Sequence, residues 1–190
     1  DVATIVHCEK EDSEGDEKTI EPMAFQHYFV RDRCQPTVTG FSFEGMDSAR
    51  PSDKFLAALK SKNLGSILIC PSNPFVSVDP VLKLPGILEA MKKSPAPVIA
   101  VSPIVGGQAI KGPAAKMMAE LGMPASALAV AKHYQGRIDG FVIDEADADL
   151  KEEIQGLGIP TIVTKSVMVT LEDRISLAEA VLEFADELAS

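Results

Sequence analysis

Residues 96–118 read APVIAVSPIVGGQAIKGPAAKMM: a short run rich in β-branched side chains, a turn with paired glycines, then a lysine and a proline ahead of a helical pattern. A strand that ends in a polar, Gly-containing loop and leads into a helix is the repeating unit of α/β folds. The same rhythm recurs on both sides of it. Apolar runs at 67–69, 97–101, 141–143 and 161–163 alternate with helical patterns at 81–92 (broken at Pro85 and Gly86), 113–121, 125–133, 147–156 and 171–188. Strands buried on both faces read as continuous apolar runs and need crossover helices, so the pattern predicts a doubly wound, mostly parallel α/β sheet with helices on both faces. In the last helix Ile175, Ala178, Val181, Leu182, Ala185 and Leu188 recur at helical spacing, a packing face without chemistry.

Upstream, residues 2–6 read as a short strand and an acidic loop follows. A helix over 21–33 is expected from Pro22 near its start and from Met23, Phe25, Phe29 and Val30. Residues 37–43 alternate as a half-buried strand does, and Ser52 looks like the N-cap of a helix that turns Phe55, Leu56 and Leu59 inward. No repeat or boundary divides the chain, so residues 1–190 are expected to form a single α/β domain with 1–50 as an edge or subdomain layer.

At 190 residues and 46% hydrophobic side chains the chain can bury one sizeable core. It has no run of the roughly 18 apolar residues a membrane helix needs. The opening at Asp1 lacks the regions of a signal peptide and is read as a truncation. Cys8, Cys34 and Cys70 are odd in number and widely spaced, which suggests a reduced, cytoplasmic setting, with Cys70 a buried inert thiol at the end of an apolar run. A net charge of −10 argues against nucleic-acid binding. Residues 9–21 hold seven acids and two lysines, half of that excess, and read as a solvated loop.

In open α/β sheets ligands sit beyond the carboxyl ends of the strands, where helix starts and strand-end loops converge. After residues 67–69 comes PSNPFVSVDP (71–80), whose prolines fix the direction of a Ser72 hydroxyl and an Asn73 carboxamide. A Pro-rich turn in which Ser77 or Asp79 caps the next helix accounts for the same residues. After 97–101, Gly106 and Gly107 permit close backbone approach, and Lys111 and Gly112 precede a helix opened by Pro113. A plain turn and helix cap explains this loop as well, and the Walker A spacing is absent. Asp144, Glu145, Asp147 and Asp149 follow the third run and suit a helix N-terminus better than a metal or a ribose contact. Phe25, Gln26, Tyr28, Phe29 and Arg31 read as a core face with an Arg tip, or as the border of a flat heterocycle and a phosphate.

The stretches PSNPFVSVDPVLKLPGI (71–87) and APVIAVSPIVGGQAIKGPAAKMM (96–118), the segment around 141–144, and FQHYFVRDR (25–33) together resemble the 2-phospho-L-lactate transferase family, in order and across nearly the whole chain. The resemblance implies a Rossmann-like enzyme that moves a phospholactyl or enolpyruvyl-phosphoryl group from a guanosine-diphosphate-activated donor to the deazaflavin FO, releasing GMP, in coenzyme F(420) biosynthesis. It also implies Mg2+. By position, Ser72 and Asn73, with Ser77 behind them, fall on the nucleotide-phosphate side, and Gly106, Gly107, Lys111 and Gly112 form a second set. Nothing in the chain corresponds to the Gly-rich opening loop and metal-binding aspartates of the family, so it is expected to be the C-terminal part of a longer transferase, inactive alone, with its Mg2+ ligands elsewhere. The alternative is a related regulator that binds nucleotide sugars without transfer, although its loop is Gly- and Ser-rich where this chain has PSNP. Homodimer formation stays open.

Overall fold

The computed structural model describes residues 1–11 and 18–190. Its centre is a four-stranded parallel sheet of β4 (Ile67–Ile69), β5 (Val98–Val101), β8 (Gly140–Ile143) and β9 (Thr161–Val163), ordered β4-β5-β8-β9. All four apolar runs of the sequence are these strands. Successive residues alternate between the two faces, so β5 and β8 feed two cores. Val98, Ala100, Phe141 and Ile143 face one side, where they meet α3 (Ile87–Lys93), α4 (Ala114–Glu120), α5 (Ala127–Tyr134) and α6 (Lys151–Gln155) through buried residues such as Met91, Met117, Val130 and Ile154. Ile99, Val101 and Val142 face the other side, under Leu177, Val181, Phe184 and Ala185 of α7 (Leu171–Ala189). The result is a Rossmann-like α/β sheet with helices on both faces.

Gly140 lets α7 lie close to the sheet, because a Cβ there would stand 2.7 Å from both Phe184 Cε1 and Leu188 Cδ1. The long helix begins at a capping box in which Thr170 and Asp173 satisfy each other's backbone N–H groups. At one edge of the sheet, Leu68 of β4 is 40% exposed, and Cys70 beyond it is also exposed. The expectation of a buried Cys70 is therefore corrected: the apolar run that precedes it is an edge strand, not a central one.

A second, antiparallel sheet is formed by β1 (Ala3–Glu11), β2 (Lys18–Ala24) and β3 (Val38–Glu44) in the order β2-β1-β3. Two expectations fail in it. The acidic run is not one loop: β1 and β2 pair in register from Ile5↔Ala24 to Glu11↔Lys18, and Lys10–Glu21 and Lys18–Glu9 ion pairs at 2.8 and 3.0 Å offset acidic charge across the ladder. Residues 12–17 of the expected loop lie outside the described residues. Nor is 21–33 a helix. Its first part is β2, an edge strand that tolerates Pro22, and the helical stretch is confined to Phe25–Arg31, which ends in the π-helical turn His27–Arg31. Local periodicity there yields to pairing with a strand more than ten residues away.

This sheet packs on the α/β body. Val6, Cys8, Tyr28 and Val38 share one core with the buried faces of α4 and α5, and Phe41 stacks on Phe75 at 5.4 Å. Lys116 of α4 donates to Pro36 O at 2.9 Å and pairs with Glu120, which accepts the Val38 N–H at 3.0 Å. In the chain between the two sheets comes α1 (Asp53–Leu59), which lies against α3 and is capped as expected by Ser52, which accepts from Phe55 N at 3.2 Å. Leu59 is buried but Phe55 is 40% exposed, so only part of the expected inward face is inward. Another partly ionic cluster pins α2 (Asp79–Leu82) to α5: buried Asp79 accepts from His133 Nε2 at 3.0 Å and Arg137 Nη1 at 3.4 Å.

Candidate functional site

The parallel strands all end on one side, and a cleft of about 160 Å3 opens there. Four segments line it: Pro71, Ser72 and Asn73 after β4; Ser102 and Pro103 after β5; Val105, Ile110, Lys111 and Ala114 leading into α4; and Ser166, Val167 and Met168 after β9. The middle segment is a small hairpin of β6 (Ile104–Val105) and β7 (Gln108–Ala109). Gly106 and Gly107 form its two-residue turn with φ of 55° and 76°, a backbone that side chains with a Cβ seldom adopt.

Most polar groups at the rim are already committed. Asn73 Oδ1 accepts from Phe75 N at 3.0 Å and Val76 N at 3.3 Å, capping the π-helical turn Pro74–Val78, while its Nδ2 donates to Met117 Sδ at 3.2 Å. Ser102 Oγ donates to Ile104 O at 2.8 Å and accepts from Ile104 N at 3.1 Å. Ser166 Oγ donates to Asp144 Oδ2 at 3.0 Å. Two cleft groups have no such partner among the described residues: the Ser72 hydroxyl and the exposed Lys111 ammonium. The cleft thus offers a hydroxyl and a positive charge between walls of proline, valine, isoleucine and methionine, which suits a ligand with an anionic and an apolar part.

Of the residues expected at the site, Ser72, Asn73 and Lys111 line this cleft together. Ser77, Gly106, Gly107 and Gly112 do not. Ser77 is exposed on the turn that Asn73 caps, Gly106 and Gly107 sit at the hairpin tip, and Gly112 is an exposed hinge with φ of 73° before α4. Pro113 occupies the N-cap position of α4 and not its first turn.

The wall after β9 is absent from the sequence reading, although the strand-end rule that found the other loops applies equally to residues 164–168. Behind the walls, Asp144 and Asp147 are both buried. Burial opposes the charge on Asp144, but N–H groups of Ala146, Ser166 and Val167 and the Ser166 hydroxyl outweigh it and hold the carboxyl below its ordinary range. Burial dominates at Asp147 and raises its pKa despite the Gly106 N–H, with the Asp144 and Asp149 charges adding to the rise. Asp144 does cap the following 3-10 helix, Glu145–Leu150, as expected.

Among the described residues no three His, Cys, Asp or Glu side chains are grouped to hold a metal. Nor, among them, is any helix long and apolar enough to cross a membrane.

A parallel α/β sheet with helices on both faces and a cleft at its strand ends defines a protein of the Rossmann-like class. Comparison with known proteins narrows this. The chain belongs to the 2-phospho-L-lactate transferase CofD family, whose model matches residues 1–185. It is 37% identical over 161 residues to a 2-phospho-L-lactate transferase of Methanosarcina mazei, covering 85% of this chain and 52% of that protein. A phosphoenolpyruvate transferase of Streptomyces griseus is 34% identical over 178 residues, 93% of this chain and 54% of that protein. The chain therefore spans about half the length of the curated relatives it matches. The crystal structure of protein BH3568 from Bacillus halodurans shares the fold with a TM-score of 0.58 at 18% identity, over 95% of this chain and 58% of that one.

Proposed function

We propose that this chain carries the nucleotide-phosphate side of a transferase that moves a phospholactyl or enolpyruvyl-phosphoryl group from a guanosine-diphosphate-activated donor to FO in coenzyme F(420) biosynthesis. The observation that carries the reading is the convergence of Ser72 and Lys111, from loops after two neighbouring strands, as the unpartnered polar groups of one cleft. In this role Lys111 balances phosphate charge and Ser72 donates to a phosphate oxygen, while the apolar walls exclude water from the transferring group. The FO hydroxyl oxygen forms a bond to the phosphorus, the phosphorus-oxygen bond to GMP breaks, and the hydroxyl proton is lost to solvent. Phosphoryl transfer of this kind asks the protein mainly for positioning and charge. Mg2+ is proposed for the whole enzyme, with ligands outside the described residues.

The same reading treats residues 1–190 as one domain with the first sheet as an edge layer. It also treats the free edge of β4 as the place where the remaining half of a full-length relative continues the sheet, so that the 190 residues alone do not catalyse transfer.

The test is binding of GDP and FO, with Mg2+, to the chain extended to the length of its relatives. Both ligands should bind, and Lys111→Met should weaken GDP with a reduced salt dependence, since an ammonium-phosphate contact is screened by ions. Binding of a nucleotide sugar in place of FO would transfer the chain to the regulator reading.

A further inference from the structure

The two cleft walls that the sequence leaves unconnected are held by one short segment behind them. Asp144 follows β8 directly. Its Oδ2 accepts Ser166 N at 2.7 Å and Ser166 Oγ at 3.0 Å, fixing the loop that brings Ser166, Val167 and Met168 to the cleft. Three residues on, both oxygens of Asp147 accept Gly106 N, at 3.2 and 3.1 Å, fixing the turn of the hairpin from which Val105, Ile110 and Lys111 approach. The two anchors share a backbone bond, Asp147 N to Asp144 O at 3.0 Å. Neither carboxylate lines the cleft itself. Both are buried, and a hydrogen bond to an ionised acceptor is stronger than a neutral one, so each loop is tied at a point set by the end of β8.

We propose that Asp144 and Asp147 are positioning residues: each carboxylate independently holds one wall of the cleft in place, and together they set the gap into which the ligand enters. Lys111 lies five residues from the Gly106 anchor, on the same hairpin arm that leads to α4, so the Asp147 contact also sets where the ammonium stands. The ligand half of the inference rests on the function proposed above; the anchoring half does not.

Two readouts in the full-length protein test it. In Asp147→Ala the Gly106 amide should exchange with solvent about tenfold faster or more, as expected when an N–H loses a charged acceptor, while the Ser166 amide keeps its protection. Asp144→Ala should show the reverse, and Ser166→Ala, which keeps the backbone bond, should change exchange little. GDP affinity should fall roughly tenfold in each aspartate variant, an effect of the size expected when preorganisation is lost. Asp147→Asn should recover most of that affinity, because its amide oxygen still accepts the Gly106 N–H. Unchanged exchange in both alanine variants overturns the anchoring, and faster exchange with unchanged GDP affinity overturns the positioning role. If the unsubstituted protein binds neither GDP nor FO, the proposed function fails, while the exchange rates still decide whether the carboxylates hold the walls.

Discussion

Ser72 and Asn73 are adjacent in sequence and both line the cleft, yet their substitution should have opposite consequences. The Asn73 carboxamide makes three hydrogen bonds within the protein, to Phe75 N, Val76 N and Met117 Sδ, and Ser72 makes none among the described residues. Asn73→Ala removes a cap, a loss of about 0.5–2 kcal/mol, and leaves the N–H of buried Phe75 short of an acceptor, which places the cost near the upper end, at about 2 kcal/mol. For a domain of this size that corresponds to a fall in melting temperature of roughly 4–8 °C. Asn73→Asp keeps an acceptor for both N–H groups and should restore most of the loss. Ser72→Ala should leave stability within about 0.5 kcal/mol and weaken GDP by roughly 1–3 kcal/mol. Urea midpoints at constant slope report the first quantity and calorimetric titration with GDP the second. If Asn73→Ala keeps the original urea midpoint but loses GDP binding, the carboxamide serves the ligand and the capping argument is refuted. Unchanged GDP affinity in Ser72→Ala would remove Ser72 from the site.

Gly140→Ala should destabilise the protein by about 1–3 kcal/mol, because the new methyl group falls within 2.7 Å of Phe184 and Leu188; a urea midpoint equal to that of the parent would show that α7 yields freely. Asp79 bears on acid stability. Burial opposes its charge, but the His133 hydrogen bond and the His133, Lys83 and Arg137 charges together hold its carboxyl below the ordinary value. Its stabilising contribution is therefore complete above the unfolded-state pKa of roughly 4 and disappears as pH falls through the lower folded-state value. Asp79→Asn should be less stable at neutral pH and converge on the parent in acid, whereas a pH-independent difference between their urea midpoints would contradict this coupling.

The first 50 residues show where local sequence ran out. The period of Met23, Phe25, Phe29 and Val30 predicts one helix over 21–33, and Phe25, Phe29 and Val30 do lie on helical backbone, but residues up to Ala24 instead complete a ladder with β1, a choice made by a partner strand and not by the local pattern. The acidic residues that suggest a solvated loop alternate with lysines across that ladder, so the charge density that looks prohibitive along the chain is partly neutralised between strands. Cys70 failed for a related reason: an apolar triplet reads alike in a central and an edge strand, and only the sheet order assigns it the edge.

The parallel α/β sheet, its four strands, the Ser52 cap, the long packing helix and two of the cleft's strand-end loops were all legible in the order of residues. Each of these depends on periodicity or turn chemistry within a dozen residues, which is the range over which backbone preference and side-chain pattern act together. The tertiary structure alone decided which polar groups of those loops are free. Asn73 was consumed by a turn of its own and by Met117, Ser166 by Asp144, and the Gly106 amide by Asp147, while Ser72 and Lys111 were left facing the cleft. A side chain's capacity to bind is written in its chemistry, but whether that capacity is already spent depends on partners that lie up to 44 positions away in the chain and meet only when the strands align.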